Sequence, residues 1–242
     1  MANAKTANWS ALDRASLYAY FYSLGGRIIG KKLTPDQIHK KISKHIKLVL
    51  PVRIKKHIDA KILQRHIYMG GMYYSTYDKE QKPSIEVNFS YHPFDEHLKM
   101  TEYRWKRMSI RFADVVLHEM IHMRQFRARN FKSIPGYQST AQWAKDRRQQ
   151  EYLGDRDEMG AFAYNIACEM IDRFGYNPTI IKQYMDTNRA TRHKNSWWYT
   201  YLKGFDFDHQ HKIIIRMKKK ILHQLENAHL GKPFKTNDWL TY

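Results

Sequence analysis

The stretch VVLHEMIHMRQ, residues 115 to 125, places two histidines four positions apart, with a glutamate directly after the first. In an α-helix, residues four apart lie one turn apart on the same face, so His118 and His122 can direct their imidazoles at one point. Glu119 is rotated from His118 by about 100° around the helix, close enough to act as a general base on water at that point. The spacing therefore predicts a helix with two zinc ligands and a catalytic carboxylate.

The sequence around this motif is apolar on nearly every side of the helix, as the segment FADVVLHEMIHM shows. A charged glutamate and two histidines would be costly to bury there without partners, and a metal ion offsets that cost. The competing interpretation is a pair of core histidines satisfied by ordinary hydrogen bonds. Asp114, four residues before His118, is either a carboxylate that supports a ligand or a surface residue.

A catalytic zinc needs a third protein ligand and an open position for water. The next histidine after the motif is His193, 71 residues further on, so attention turns to carboxylates. Glu158 opens the segment EMGAFAYNIA, whose alanines would allow a second helix to pack closely, and Glu151 is the reserve candidate. The spacing of Asp155 and Glu158 also fits a capping box, which alone could explain an acid at this position.

These motifs resemble those of a known group of enzymes. VVLHEMIHMRQ resembles the active-site helix of zincin metallopeptidases, and LHEMIH is similar to the SprT-like domains of DNA-associated proteases. EMGAFA is similar to the Glu-x-x-Ala pattern that supplies the glutamate ligand in gluzincins. SprT-like proteins typically take their third ligand from a histidine shortly after the motif, and MRQFRARNFKSIPGY contains none.

The resemblance covers about residues 84 to 165 and implies a zincin-like core. It implies that Glu119 activates water to attack a peptide carbonyl, and that an edge strand, here 84 to 91, holds an extended substrate above the motif helix. It also implies a Zn²⁺ cofactor and a protein or peptide substrate. The residues that stabilise the oxyanion stay open, and four side chains are candidates: Tyr137, Tyr152, Tyr164 and His193.

Local signals predict the elements that surround the motif. Thr34 and Gln37 have capping-box spacing, with a proline between them at the first helical position, so an amphipathic basic helix should begin there. Residues 66–77 and 84–91 are rich in β-branched and aromatic residues and predict two antiparallel strands. In the second strand, alternation of apolar and polar residues predicts one buried face and an edge position.

The remainder of the chain is predicted to be mostly helical. A helix is expected over about residues 12–24 and another over 156–174, the latter with Asp155 as N-cap and Gly175 after its end. A loop is expected over about 130–150. The fold class predicted is α+β, mostly α, with a small antiparallel sheet beside the motif helix and extra helices at both ends.

This pattern predicts three regions, with one compact domain as the alternative. Residues 1–65 are expected to form a basic helical region, 66–175 the zincin-like metallopeptidase core, and 176–242 a C-terminal helical region.

Composition bounds the partners and the compartment. Forty-two Lys and Arg against 23 Asp and Glu give a net charge of +19, which attracts polyanions, so nucleic acid is a candidate partner. A solvated basic surface with no ligand is the alternative. One cysteine excludes an internal disulfide, and no secretory signal or membrane-length apolar run is found. We therefore expect an intracellular, cytoplasmic protein without a membrane partner, or a virion-associated one if phage-encoded; the oligomeric state is not indicated.

Two functions are compatible with the sequence. The first is a zinc-dependent metallopeptidase that hydrolyses peptide bonds, with Glu119 as general base, near nucleic acid or another polyanion. The second is a non-catalytic basic protein, either nucleic-acid-binding or a structural component of a virion, in which the metal only joins two helices. Glu119 separates the two, because a structural zinc site has no use for a carboxylate base.

Overall fold

A computed structural model describes residues 14–46, 52–80, 82, 84–194 and 196–229. For residues 227–229 it describes only the backbone. The chain divides into two compact units, Met1–Met123 and Arg124–Tyr242. The structure is mostly helical with a small sheet, which confirms the α+β, mostly α class predicted. Within the described residues, no helix is both long and apolar enough to cross a membrane. The three-region division predicted from the sequence stays a prediction.

The first unit contains all the described strands and the first helices. Its elements are α1 (Arg14–Ser23), β1 (Lys32–Leu33), α2 (Pro35–Ile46), β2 (Val52–Ile58), β3 (Ile67–Tyr73), α3 (Ser75–Lys79), β4 (Ile85–Tyr91) and β5 (Leu98–Lys99). The long helix α4 (Glu102–Ala128) begins in this unit and ends in the second.

The second unit is helical. Its elements after α4 are α5 (Ala144–Gly154), α6 (Arg156–Phe174), α7 (Pro178–Met185), α8 (Trp197–Gly204) and α9 (Lys212–His229). Its buried core is formed by apolar side chains of α6, α7, α8 and α9.

The main sheet of the first unit has the strand order β2-β4-β3. β3 pairs antiparallel with β4, as predicted, with Gly71 opposite Val87. β2 pairs with the other side of β4 in parallel, with Ile54 also opposite Val87, so this sheet is mixed and the prediction of an antiparallel sheet is wrong for β2. The prediction that β4 is an edge strand is therefore wrong, and among the described strands β3 and β2 occupy the edges.

The polar face of β4 is present as predicted but is more buried than expected: Glu86 and Ser90 are buried, and Asn88 is partly exposed. Glu86 is 3% exposed and lies 2.8 Å from Arg53 of β2, with Lys55 at 3.7 Å. These cations compensate the buried carboxylate, so a strand that alternates polar and apolar residues is buried on both faces.

The first helices match their local signals. The capping box of α2 is formed in both directions: Thr34 N–H donates to Gln37 Oε1 at 3.0 Å, and Gln37 N–H donates to Thr34 Oγ1 at 3.1 Å. The apolar face of α2 then buries Ile38, Ile42 and Ile46. The helix predicted over 12–24 is α1, and its first two predicted residues lie outside those that the structure describes.

The second unit differs from its prediction in one place. The region expected to be a loop over 130–150 contains the first half of α5, which begins at Ala144. Its sequence, AKDRRQQEYLG, has few apolar residues, so periodicity gives a weak signal and the helix was missed. α6 begins and ends where predicted, with Asp155 as N-cap and Gly175 at φ 62° after its end.

Candidate metal centre

The motif residues lie in the middle of α4 and are buried. His118, Glu119 and His122 are 7%, 6% and 8% exposed, respectively. The two imidazole rings lie face to edge, with centroids 4.9 Å apart and an angle of 73° between their planes. The helix therefore brings both rings together on one face, as the four-residue spacing predicts.

A carboxylate completes this pair. His118, His122 and Glu158 each offer one potential ligand atom, and the three atoms lie within 4.8 Å of one another, so the group could hold a metal ion. Two imidazoles and one carboxylate match the three protein ligands of catalytic zinc sites, in which water or substrate takes the fourth position.

The start of α6 is fixed to the end of α4 within the second unit. Gln125 Nε2 donates to the backbone carbonyl of Asp157 at 3.1 Å. The guanidinium of Arg129 forms a bidentate ion pair with the Asp157 carboxylate, at 2.8 and 2.5 Å, with both side chains largely buried. Since Glu158 follows Asp157 directly, these contacts hold it beside the turn of α4 that follows His122.

The capping interaction at the start of α6 is only half of a capping box. Asp155 Oδ1 accepts from the backbone N–H groups of Asp157 and Glu158 at 2.8 and 3.3 Å. The reciprocal bond would require the Asp155 N–H to donate to the Glu158 carboxylate, but that N–H donates to the carbonyl of Tyr152 at 3.2 Å. Helix capping therefore explains Asp155, whose own N–H bonds to Tyr152 rather than closing a capping box with Glu158.

A buried tyrosine of the second unit is influenced by the charge of Glu158. Tyr201 of α8 is fully buried, and its hydroxyl donates to the carbonyl of Leu153. Burial raises the pKa of Tyr201 well above its ordinary value, and the charge of Glu158 raises it further. The phenol therefore stays neutral at neutral pH, and its hydroxyl donates to the Leu153 carbonyl.

Glu119 is held against the sheet of the first unit. A Cβ atom built on Gly71 of β3 would lie 2.5 Å from Glu119 Oε1 and 2.8 Å from Val115 Cγ1. Only a residue without a side chain allows the strand backbone to approach α4 this closely. The glycine thus places the strand edge directly beside the glutamate that the sequence predicts to be catalytic.

The other residues considered from the sequence lie in different surroundings. Asp114 is 9% exposed and forms an ion pair with Arg14 at 2.6 Å, so it is neither a solvated surface residue nor in the three-residue group. Glu151 accepts from the backbone N–H of Ser139 at 3.4 Å and, among the described residues, does not belong to the metal-capable group.

The four candidates for oxyanion stabilisation are dispersed over the second unit. Tyr164 is buried in α6, Tyr152 is half exposed in α5, Tyr137 packs against Gly154, and His193 is exposed after the 3-10 segment Asn188–Arg192. These placements leave their roles as predictions.

Sequence reasoning missed Gln125 and Arg129 as supports for the ligands. The signal was present, because these residues lie seven and eleven positions after His118 and therefore on the same face of a continuing helix.

Comparison with known proteins adds no further assignment: a scan of protein-family models, a search of curated proteins and a search of solved structures return no match.

Proposed function

We propose that this protein is a zinc-dependent metallopeptidase with a zincin-like core, in which His118, His122 and Glu158 hold the metal and Glu119 is the general base. The observation that carries the proposal is the convergence of the three ligand atoms within 4.8 Å. Two of them lie on one helix face, with a buried glutamate between them in sequence. The resemblance to zincins supports the same assignment.

The donor set favours zinc over magnesium and calcium. Magnesium and calcium prefer sites made entirely of oxygen ligands, whereas imidazole nitrogens together with one carboxylate suit zinc. When bound, zinc polarises the peptide carbonyl and lowers the pKa of the attacking water toward neutrality. The remaining chemistry belongs to the side chains of the chain itself.

Glu119 has the position and surroundings of a general base. It follows His118 directly and is buried, so its carboxylate lies in a region of low effective dielectric. There it can exchange a proton with the reacting water without competition from bulk solvent. In the proposed reaction it accepts a proton from the attacking water and delivers that proton to the nitrogen of the leaving amine. Contact with the β3 backbone at Gly71 limits the positions that the carboxylate can adopt.

Substrate binding is proposed along the outer edge of β3, which replaces 84–91 in this role. Tyr74 N–H donates to the carbonyl of Ser84 at 2.8 Å, so even-numbered residues of this strand pair with β4. The backbone groups of Ile67, Met69, Gly71 and Tyr73 therefore point away from β4. Gly71 among them adjoins Glu119, so an extended peptide paired with this edge would pass the general base.

One outer carbonyl is already occupied by a side chain of α4. Arg111 donates to the Met69 carbonyl through Nε at 3.3 Å and through Nη2 at 3.2 Å. Desolvation by burial lowers the pKa of Arg111 from its ordinary value. In the proposed complex Arg111 fixes the edge of β3 relative to α4 and limits backbone pairing of the peptide to the Gly71 end.

The proposal is tested with Glu119→Gln, which keeps the shape of the side chain and removes its basicity. We expect the variant to retain about one zinc per chain by elemental analysis and to lose cleavage of a casein-type substrate. Glu102→Gln, an exposed acid in the first turn of the same helix, is the matched control and should cleave normally. Unchanged cleavage by Glu119→Gln would refute the mechanism.

A further inference from the structure

The first unit contains a pocket of about 280 Å³ between the 3-10 segment Leu24–Arg27 and the second half of α2. Among the described residues, one apolar and five basic side chains line it: Leu24, Arg27, Lys40, Lys41, Lys44 and His45. None of these lining residues is acidic. A concave site whose polar lining consists only of cations and one histidine selects for anions.

The positive charge of this pocket is mostly uncompensated. Lys40 forms an ion pair with Asp36 at 2.9 Å, one turn earlier on α2. Within the described part of the chain, no carboxylate lies within 4.0 Å of the charged groups of Arg27, Lys41 or Lys44. Three cations are therefore available to a ligand.

The fold explains why these cations gather. The capping box fixes the start of α2, and the apolar residues Ile38, Ile42 and Ile46 bury one face against the core of the unit. The lysines between them must then lie on the remaining surface, one turn apart. The 3-10 segment brings Arg27 to the same place from a different part of the chain.

We propose that this pocket binds phosphate groups of a nucleic-acid backbone. Arg and Lys together make charge-assisted hydrogen bonds with phosphate oxygens, and the net charge of +19 favours a long polyanion over a single small anion. An anionic membrane surface fits less well, because peripheral membrane sites combine cations with exposed apolar side chains. Among the described residues, no large apolar side chain before Ile58 in the sequence is exposed, so α2 and the 3-10 segment present none beside this pocket.

This assignment does not depend on the proposed peptidase activity. The pocket residues belong to α2 and the 3-10 segment, and the metal-capable group belongs to α4 and α6. A failure of either proposal is therefore visible separately: Glu119→Gln should bind nucleic acid normally, and variants of the pocket should cleave peptide normally.

The test compares two double variants of the full chain that remove the same charge. Lys41→Ala/Lys44→Ala alters the pocket, and Lys61→Ala/Lys106→Ala removes two lysines that are exposed and lie outside it. Binding of a fluorescent single-stranded oligonucleotide is measured by anisotropy as a function of salt. Circular dichroism checks that each variant is folded, and Arg27→Ala is the substitute if the pocket variant is not.

The expected result is a change in salt dependence. Each phosphate contact on single-stranded nucleic acid contributes about −0.7 to the slope of log K against log salt concentration. Loss of two contacts makes the slope shallower by about 1.4, so the fall in affinity between about 50 and 200 mM salt is smaller by about 7-fold. The control variant should keep the slope of the wild-type protein.

Three outcomes would overturn the proposal. Equal changes in slope for both double variants would mean that the charge acts diffusely over the surface. An unchanged slope in the pocket variant would mean that these lysines do not contact phosphate. Binding to vesicles that contain phosphatidylserine, with no binding to the oligonucleotide, would assign the pocket to a membrane surface instead.

Discussion

Replacement of Gly71 by alanine tests whether the edge of β3 controls the general base. The added methyl group would lie 2.5 Å from Oε1 and 2.7 Å from Cγ of Glu119, and 2.8 Å from Cγ1 of Val115. Carbon atoms in contact normally lie about 3.5–4.0 Å apart, so at least one neighbour must move by close to 1 Å. Gly71 does not have positive φ, so the backbone itself can accept alanine.

The expected cost is worked out from what can move. Val115 is 4% exposed and β-branched, so it has little freedom, whereas the Glu119 side chain has more rotatable bonds. Glu119 is therefore displaced first. Overpacking of this kind costs about 1–3 kcal/mol in the free energy of unfolding, and a misplacement of about 1 Å in a catalytic group costs about 10²-fold in rate.

The adjacent glycine provides the control. A Cβ atom on Gly70 would meet only Tyr68 Cε1, at 3.6 Å, which is an ordinary contact. Both variants lose one glycine from the same strand, so their unfolded chains are restricted equally. Urea unfolding, zinc content and cleavage of a casein-type substrate are measured for both.

We expect Gly70→Ala to behave like the wild-type protein in all three assays. Gly71→Ala should bind zinc, because the group His118, His122 and Glu158 does not include a neighbour of the new methyl group, and should lose stability and cleavage. Equal cleavage by the two variants, with zinc bound, would refute the idea that contact with the strand positions Glu119.

Three further predictions follow from the second unit. Glu158→Ala should lose zinc by elemental analysis and Glu151→Ala should retain it; the reverse would transfer the ligand role to Glu151. Arg129→Ala should weaken zinc binding by about 10–100-fold in a competition titration with a chelator, since it removes the partner of the residue before Glu158, and unchanged affinity would contradict this support. Lys220→Met should raise the free energy of unfolding at pH 7 by about 3 kcal/mol and by only about 1 kcal/mol at pH 9.5, because burial and neighbouring arginines lower the pKa of Lys220 from 10.5 to about 8. Between these pKa values the unfolded chain binds more protons than the folded chain, so the stability of the wild-type protein rises with pH. Lys219→Met, at an exposed position, is the control. If the difference in unfolding free energy between Lys220→Met and Lys219→Met, measured with urea, does not change with pH, the pKa shift is refuted.

Local signals were sufficient for several elements. The start of α2 follows from Thr34 and Gln37, and both ends of α6 follow from Asp155 and Gly175. Each of these signals involves residues within one turn of the helix end, so no knowledge of the rest of the fold is needed.

Strand pairing could not be predicted in the same way. β2 joins β4 through contacts between residues 33 positions apart, such as Val52 with Ile85, and no local pattern encodes that distance. From the sequence alone, the cations of β2, Arg53 and Lys55, would be predicted to lie on a solvated surface. Their contact with Glu86 is what permits β4 to be buried on both faces, and that contact exists only after the strands pair.

The candidate site combines both kinds of information. The convergence of His118 and His122 needs only the helical repeat, whereas the arrival of Glu158 needs the attachment of α6 to α4. That attachment is made by Gln125, which lies on the same face of α4 as the two histidines, and by Arg129, which follows the last residue of the helix. α4 and the residue directly after it therefore carry both the imidazole pair and the groups that hold Asp157, the residue before the third candidate ligand.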